Sequence, residues 1–273
     1  MSKLLKYREY YSTIIFDIFF LLLLIYITNG IVELSTVSTI EQNQNICLPI
    51  IMYHQVKNTN LGKDIISTSE FESDLKYLSE HNYTTITMTQ LIDFVYKGEP
   101  LPENPIVLSF DDGYLSTYEN VFPLLKKYNM KIVLSIIGKS TDDFSLVSNQ
   151  NVEYGHLTWE HIYEMTESNL VEIQNHSYNL HRISTSRYGS SQMPSESFSQ
   201  YENILSEDIC LLQDKITAVT NITPNTYAYP YGKYNNNTTV ILEKLGFKAS
   251  LSVTYGVNLI SRENPKNLFG LKR

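Results

Sequence analysis

The hydrophobic pattern of the chain changes near residue 33. Residues 14–32 are predominantly apolar, and every position from Ile18 to Ile27 is apolar or tyrosine. Nineteen such residues are enough for a helix that spans a hydrocarbon core of about 30 Å. Three basic residues lie within the first eight positions, and the positive-inside bias keeps such a flank in the cytoplasm. We therefore predict a cytoplasmic region at residues 1–13 and a single transmembrane signal anchor at residues 14–32, with the rest of the chain exported.

A cleaved signal peptide is the alternative for this segment. Its core has the length of a signal-peptide apolar region, but no small-x-small cleavage site follows it. Residues 33–46 are polar and lack a clear period, which is typical of a tether.

From Cys47 onward, short apolar runs alternate with amphipathic runs. The apolar runs are rich in Ile and Val, and several are apolar on both faces, as buried parallel strands are. The predicted strands are 48–54, 83–88, 105–110, 131–138, 170–176, 226–232 and 247–253.

The amphipathic runs between the strands predict helices. Five of them follow a Ser, Thr or Asn that can accept hydrogen bonds from free helix N–H groups: Ser69, Thr89, Thr117, Thr158 and Asn237. A sixth and longer helix is predicted from Phe198 to Asn221, whereas residues 141–155 and 184–197 are predicted to be loops. Seven strands interleaved with helices predict an α/β fold over residues 47–273, and a parallel barrel is favoured over an open doubly wound sheet.

Composition narrows the class of protein further. The 273 residues are 42% hydrophobic and 12% aromatic, which excludes a disordered chain, and the net charge of −8 argues against nucleic-acid binding. Two cysteines exclude a disulfide scaffold and a cysteine-based zinc cluster. Cys210 lies on an apolar helical face, so a free and buried thiol is expected there rather than a disulfide with Cys47.

Candidate catalytic residues lie where predicted strands end. One strand ends in Asp111-Asp112-Gly113, another leads into His176 and His181, a third ends in Pro230-Tyr231-Gly232, and the first ends in Tyr53-His54. Taken singly, each motif has an explanation without a function: Asp-Asp-Gly alone is better explained as a turn, the histidine pair as surface or capping residues, and Pro-Tyr-Gly as a tight turn. Taken together, one carboxylate and two imidazoles can hold a divalent metal with positions open for water and substrate, and the second carboxylate can act as a base.

These residues resemble a known family. Ser109 to Tyr114, His176-Ser177 with His181, and Ala228 to Gly232 are similar to the first three motifs of the polysaccharide deacetylases, the NodB-like carbohydrate esterases. The similarity extends outside the motifs, as in residues 51–56, and is strongest to the exopolysaccharide and poly-N-acetylglucosamine deacetylase branch. It covers the chain from about Cys47 to the end and implies a distorted (β/α)₇ barrel.

The resemblance also implies roles for individual residues. Asp111 would be the general base, and Asp112, His176 and His181 would bind a divalent metal, usually zinc. The backbone N–H of Tyr231 would bind the oxyanion. Candidate substrate contacts are Pro230, Tyr114 and Trp159, with core packing as the alternative role for Trp159.

The chain departs from the family pattern in two places that affect the chemistry. Ala228 stands where the family commonly has an arginine that pairs with the base. No histidine follows His181, although many members use a C-terminal histidine as the general acid, and the sequence stops at Leu271-Lys272-Arg273, where one more strand is expected. His54 is the substitute candidate acid, with a structural histidine as the alternative. The other three histidines, His81, His156 and His161, are predicted to be solvated or capping.

The predicted function is metal-dependent removal of N-acetyl groups from an N-acetylglucosamine polymer outside the cell membrane. Poly-N-acetylglucosamine or a related exopolysaccharide is the first candidate substrate, and peptidoglycan is the second. Two alternatives are an O-acetyl polysaccharide esterase and a catalytically impaired barrel that binds glycans. The polymer and the membrane are the expected partners, and no nucleic acid is expected.

Overall fold

The structure is a computed structural model, and it describes Phe20, Leu21, Leu23 and residues 45–147, 151–184 and 187–273. The chain divides into two compact units, Met1–Gln44 and Asn45–Arg273. In the first unit the three described residues are helical, so the predicted anchor and tether lie almost wholly outside the described residues. Within the described part of the chain, no helix combines the length and the apolar character needed to cross a membrane.

Seven parallel strands form the central sheet of the second unit. In chain order the described strands are β1 (Ile46–Leu48), β2 (Ile50–Tyr53), β3 (Gln55–Val56), β4 (Ile65–Ile66), β5 (Thr84–Thr85), β6 (Pro105–Asp112), β7 (Ile132–Ile136), β8 (Val171–Asn175), β9 (Thr226–Ala228), β10 (Ala249–Leu251) and β11 (Asn258–Ile260). The sheet has the order β10-β9-β8-β7-β6-β2, and β5 pairs with the start of β6. All seven predicted strands are therefore present.

The strand order explains why the sheet curls. From β6 to β10 each strand pairs with its predecessor in the chain, and all of these pairs are parallel. Parallel crossovers are right-handed, so a sequential order leaves the connections on one face, whereas a doubly wound sheet needs a reversal of order. The result is a curled half-barrel. Among the described strands no ladder joins β2 to β10, so the predicted barrel is not closed by strand pairing.

Seven α-helices occur in the described part of this unit. They are α1 (Thr68–Glu80), α2 (Met88–Lys97), α3 (Phe122–Tyr128), α4 (Gly138–Ser145), α5 (Trp159–Glu167), α6 (Phe198–Thr220) and α7 (Asn236–Lys244), and a π-helical segment at Thr117–Val121 leads into α3. Helix α4 lies in a stretch that was predicted to be a loop, so that prediction is wrong at its start. This helix buries only Gly138 and Thr141. Its sequence therefore lacks the apolar stripe by which a helix is predicted.

Helix α2 shows how the sheet and the helices are joined. The Thr87 hydroxyl accepts a hydrogen bond from the Gln90 N–H, and the side-chain oxygen of Gln90 accepts one from the Thr87 N–H. Glu172 of β8 accepts from the N–H groups of Met88 and Thr89 at 2.8 and 3.0 Å. A carboxylate at a helix N-terminus is stabilised by the helix dipole, so β8 and α2 are held together without a charged partner side chain.

The core has a separate layer on each face of the curled sheet. Leu108, Phe110 and Leu134 belong to the layer that packs against α1, α3, α5 and α6. The adjacent Val107 and Val133 belong to the other layer, with residues of α2 and of β9 to β11. Successive side chains of a strand point to opposite faces of the sheet, so neighbouring residues of one strand belong to different core layers.

The last residues of the chain run beside β10. Leu271 forms a parallel bridge with Leu251, the Leu271 N–H donates to the Ser250 carbonyl, and the Arg273 N–H donates to the Thr254 carbonyl. This run brings Arg273 back to the central sheet. The two cysteines are unbonded and exposed, so the prediction of a buried Cys210 is wrong.

Candidate active site

The candidate catalytic residues meet at the carboxyl edge of the sheet. Asp111 and Asp112 end β6, His176 follows β8, Tyr231 follows β9 and His54 follows β2. All five side chains line one cavity of about 490 Å³, which we call the reaction cavity. Parallel strands carry their carboxyl ends to the same edge, and side chains from several strands can therefore combine there.

Backbone strain marks three of these strand ends. Nine non-glycine residues of the described chain have positive φ, and six of them are asparagine, the residue that tolerates this conformation best. The other three are Asp112 at 71°, Ser177 at 72° and Tyr231 at 55°. Such conformations cost about 1–3 kcal/mol each and cluster at functional sites. Each of the three strand-end motifs thus contains one strained residue.

Asp112, His176 and His181 form a group that could hold a metal ion. One ligand atom from each lies within 4.8 Å of the others. The Nε2 atoms of His176 and His181 are 3.4 and 3.3 Å from Oδ1 of Asp112. That oxygen is buried and accepts no hydrogen bond from the described residues. A buried carboxylate oxygen without a donor, faced by two imidazole nitrogens, fits a divalent cation that binds N and O ligands.

The orientation of His176 suits a ligand. Its Nδ1 lies 2.8 Å from the carbonyl oxygen of Ala228, which fixes Nδ1 as the donor and leaves Nε2 directed at Asp112. Metal-ligating histidines commonly donate their other ring N–H in this way. Burial alone would lower the pKa of His176, but the Asp111 and Asp112 carboxylates outweigh it and raise that pKa.

The pKa values of the other two candidate ligands favour the protonation states that bind metal. Burial, together with the neighbouring His176, lowers the pKa of His181 to about 4, so its imidazole is neutral at neutral pH. Burial acts to raise the pKa of Asp112, but the imidazoles of His176 and His181 lower it well below its usual range.

Helix α6 holds the segment between the two histidines. The Asp208 carboxylate accepts hydrogen bonds from the N–H groups of Tyr178 and Asn179, both at 2.8 Å. Asn175 accepts from the Ser177 N–H at 2.9 Å and donates to the Ile209 carbonyl. The strained turn at Ser177 is therefore tied to α6 on both sides, which fixes the position of His181.

Asp111 is held by an arginine that is distant in sequence. The two guanidinium nitrogens of Arg273 donate to the two carboxylate oxygens at 2.8 Å each. Arg273 also donates to the Ser252 carbonyl at 2.7 Å, and both side chains are buried. Burial acts to raise the pKa of Asp111, but Arg273 and the nearby His176 lower it. Asp111 is therefore an ionised carboxylate in a fixed orientation, as a general base must be.

Sequence reasoning missed two residues of this site. Arg273 pairs with Asp111, and the only signal in the sequence for such a partner was the absence of an arginine at position 228. His156 was predicted to be solvated or capping, but it lines the reaction cavity, stacks on Tyr114 and places Nδ1 3.1 Å from the Asp112 carbonyl oxygen. His161 does serve in the capping box of α5.

Of the three candidate substrate contacts, one lines the reaction cavity. Tyr114 lines the reaction cavity, and burial and the Asp112 carboxylate raise its pKa to about 12, so its hydroxyl remains a donor. Pro230 is buried, and neither it nor Trp159 is among the residues that line the cavity. The Trp159 indole N–H donates to Asp142 at 2.9 Å.

Comparison with protein families identifies the chain. The family model for polysaccharide deacetylases matches residues 98–250, which contain both aspartates and both histidines of the site. The chain belongs to the polysaccharide deacetylase family.

Individual members of the family show the same similarity. A poly-β-1,6-N-acetyl-D-glucosamine N-deacetylase of Escherichia coli K12 is 25% identical over 230 residues, which are 76% of this chain and 34% of that protein. A protein of the same name from Staphylococcus aureus MSSA476 is 25% identical over 220 residues, which are 74% of this chain and 70% of that protein. The structure of IcaB from Ammonifex degensii superposes with a TM-score of 0.68 at 26% identity and covers 84% of this chain and 91% of that one. The chain thus spans about a third of the length of the Escherichia coli relative.

Proposed function

We propose that the chain is a metal-dependent hydrolase that removes N-acetyl groups from a polymer of N-acetylglucosamine. The proposal is carried by the convergence of the Asp112, His176 and His181 ligand atoms beside a second buried carboxylate, Asp111. The names of the Escherichia coli and Staphylococcus aureus relatives support poly-β-1,6-N-acetyl-D-glucosamine as the first substrate to test. Peptidoglycan is the second.

Asp111 is the base in this proposal. A divalent cation bound by Asp112, His176 and His181, with zinc as our proposal, would supply a Lewis acid that lowers the pKa of water and polarises the acetamide carbonyl. Asp111 accepts the proton of the attacking water, and its pKa, lowered by Arg273, keeps it ionised at neutral pH. Arg273 directs both carboxylate oxygens through its paired hydrogen bonds.

Charge that develops on the acetamide oxygen needs donors, and the leaving nitrogen needs a proton. The backbone N–H of Tyr231 and the hydroxyl of Tyr114 are our proposed donors to the oxygen, since both residues line the reaction cavity. His54 lines the same cavity and is our proposed acid for the nitrogen. The C–N bond breaks, acetate leaves, and a free amino sugar remains.

Release of amines from defined polymers tests this function. Zinc-loaded full-length protein in detergent should release free amines and acetate in equal amounts from poly-N-acetylglucosamine. Loss of a general base typically lowers the rate 10²–10⁴-fold, so Asp111→Asn should lower kcat by about that factor. Asp143→Asn, at an exposed aspartate that pairs with Lys139, is the matched control. Acetate release from an O-acetylated polysaccharide without amine release would instead identify an esterase, and no release from any polymer would contradict the proposal.

We also propose that residues 14–32 anchor the protein in the cell membrane with the deacetylase unit outside. The apolar run and the basic residues before it support this location. Protease treatment of intact cells should degrade the unit from Asn45 onward, and its full protection would contradict the proposed orientation.

A further inference from the structure

His156 contacts the backbone of a candidate metal ligand, although it belongs to none of the three sequence motifs of the site. Its ring lines the reaction cavity, and its Nδ1 lies 3.1 Å from the carbonyl oxygen of Asp112. A carbonyl oxygen only accepts hydrogen bonds, so Nδ1 is the donor. The carboxylate of the same Asp112 faces the Nε2 atoms of His176 and His181. His156 therefore acts on a ligand from outside the ligand set.

The backbone of Asp112 needs such a contact. Its φ is 71°, a conformation that a residue with a Cβ adopts only where surrounding contacts hold it. Rotation about the N–Cα bond of Asp112 moves its Cβ and its carbonyl group together. A donor that holds the carbonyl group in place therefore also limits the direction of the carboxylate.

A short backbone ladder holds His156 against the end of β6. Two backbone hydrogen bonds of 2.8 Å join residues 113–115 to residues 155–157. Tyr114 and His156 are the antiparallel bridge partners of this ladder, and their rings stack with centroids 4.6 Å apart. The imidazole is thus carried to the Asp112 carbonyl by contacts on both its backbone and its ring.

The segment that leads into His156 is also fixed away from the site. The buried Lys57 ammonium donates to the backbone carbonyl of Glu153 at 2.7 Å and to its carboxylate at 3.1 Å. Asn60 donates to the same carboxylate at 3.1 Å. None of these contacts involves Asp112, so the position of His156 does not depend on the residue that it holds.

We infer that His156 is a positioning residue, whose Nδ1–H keeps the backbone of Asp112 in the conformation that directs the carboxylate at a bound divalent cation. This inference rests on the proposed function, because it takes Asp112 to be a metal ligand. The role requires only a donor at Nδ1. Loss of that donor should therefore weaken metal binding.

Two substitutions of His156 separate the donor from the ring. His156→Phe keeps a ring that can stack on Tyr114 but removes the donor. His156→Asn removes the ring, but its side-chain nitrogen is bonded to Cγ as Nδ1 is in histidine, so it can still donate to the Asp112 carbonyl. Partners that orient metal ligands typically change metal affinity 10–100-fold. In a competition assay with a chelating dye, His156→Phe should bind zinc about tenfold more weakly than the wild-type full-length protein, and His156→Asn should keep most of the affinity.

His81 offers a matched control on the surface. Its Nδ1 lies 2.8 Å from the Tyr77 carbonyl oxygen, and its ring stacks on the Tyr77 ring with centroids 3.9 Å apart. It thus makes the same two kinds of contact as His156, but it is exposed and does not line the reaction cavity. His81→Phe and His81→Asn should both bind zinc as the wild-type protein does. Unchanged affinity in His156→Phe, or an equal loss in His156→Phe and His156→Asn, would overturn the positioning role.

This test is independent of turnover, because zinc affinity is measured without a polymer. If the protein binds zinc but releases no amines, the proposed function fails, and the two His156 variants still decide the positioning role. If amines are released and His156→Phe binds zinc like the wild-type protein, only the positioning role fails. A merely structural role would lower the Tm of zinc-free His156→Phe and leave its zinc affinity unchanged, which would also overturn the inference.

Discussion

The pair of Asp111 and Arg273 is the residue-scale feature on which the proposed chemistry depends most. Both side chains are buried, and the two hydrogen bonds are of equal length. A planar guanidinium matches a carboxylate in a way that the ammonium group of lysine cannot. Removal of one partner of a buried pair leaves an uncompensated charge, which typically costs 3–5 kcal/mol.

Substitution of Arg273 should therefore change both the rate and its pH dependence. Arg273 lowers the pKa of Asp111, so its loss raises that pKa. On acidification, Asp111 then becomes protonated at a higher pH than in the wild-type protein. In Arg273→Lys, the acidic limb of the kcat/KM profile should move to higher pH, and kcat at neutral pH should fall about tenfold or more. Lys272→Ala, at an exposed side chain in the same run, should leave the profile unchanged.

Position 228 offers a second test of the same pair. The family commonly has an arginine there, and this chain has Ala228. If the two positions are alternative sources of one guanidinium, Ala228→Arg should restore a large part of the activity that Arg273→Ala removes. The acidic limb should return toward its wild-type position in the double variant. A double variant that is folded by circular dichroism but no more active than Arg273→Ala would contradict the idea that the two positions supply the same guanidinium.

Four residues of the site were predictable from the sequence, because each lies at or just after the end of a short apolar run: Asp111, Asp112, His176 and His181. A strand end is visible locally, and the parallel sheet brings such ends together. Arg273 could not be found in this way. It lies 162 positions from Asp111, and nothing in the run before it differs from a surface segment. Only the path of the chain past β10 brings it to Asp111.

At the scale of elements, α6 positions the candidate ligand His181 through Asp208. The charge of Asp208 lies opposite two backbone N–H groups of the segment between the histidines. In Asp208→Asn one carboxylate oxygen becomes an amide nitrogen that cannot accept a hydrogen bond. Residues that orient ligands typically change metal affinity 10–100-fold.

We expect Asp208→Asn to weaken zinc binding by about tenfold in a competition assay with a chelating dye. Asp214→Asn, at an exposed aspartate of the same helix, is the control. A purely structural role would lower the thermal stability of the zinc-free protein and leave the zinc affinity unchanged, which would contradict the positioning role.

The observed N-caps of three helices lie two residues before the predicted ones. The predicted caps are Ser69, Thr89 and Asn237, but the observed caps are Ser67, Thr87 and Asn235. Each observed cap accepts a hydrogen bond from the backbone N–H three positions later, at Glu70, Gln90 and Thr238, and the latter two side chains also accept one from the cap N–H. The apolar period cannot distinguish two candidate caps that are two residues apart. The three-residue spacing of the capping box favours Thr87 over Thr89, but it does not separate Ser67 from Ser69, because Glu72 follows Ser69 as Glu70 follows Ser67.

At the scale of the whole molecule, the observed half-barrel differs from the predicted barrel because no ladder joins β2 to β10 among the described strands. Alternating runs predict the number of strands and their parallel pairing, but closure depends on the tilt and stagger of the complete set. Asn258 of β11 bridges part of the gap. Its side chain donates to the carbonyl groups of Leu48 and Lys272 and accepts from the Lys272 N–H. A single side chain between β1 and the C-terminal run has no signature in a hydrophobic pattern.

Metal binding should stabilise the whole folded unit, because the candidate ligands come from two strands that only the fold brings together. A ligand at a hundred times its Kd stabilises the native state by about 2.7 kcal/mol. For a unit of this size that raises Tm by about 5–10 °C. Zinc should give a shift of this size by differential scanning calorimetry, and a chelator should reverse it. His181→Gln should abolish the shift, whereas His81→Gln, at an exposed histidine outside the site, should not.

The size of this shift should depend on pH in a defined direction. The pKa of His176 is raised in the folded protein by Asp111 and Asp112. Without metal, the protonated imidazole therefore contributes stability that is full below its unfolded pKa and is lost as pH rises through its folded pKa. A metal ion must displace that proton, so its binding strengthens as pH rises. His181, with a pKa of about 4, is already neutral in the folded protein, so metal binding displaces no proton from it across this range. The difference in Tm between zinc-loaded and zinc-free protein should therefore be larger at pH 8 than at pH 5.5, and a difference that shrinks with rising pH would contradict the assignment of His176 as a ligand.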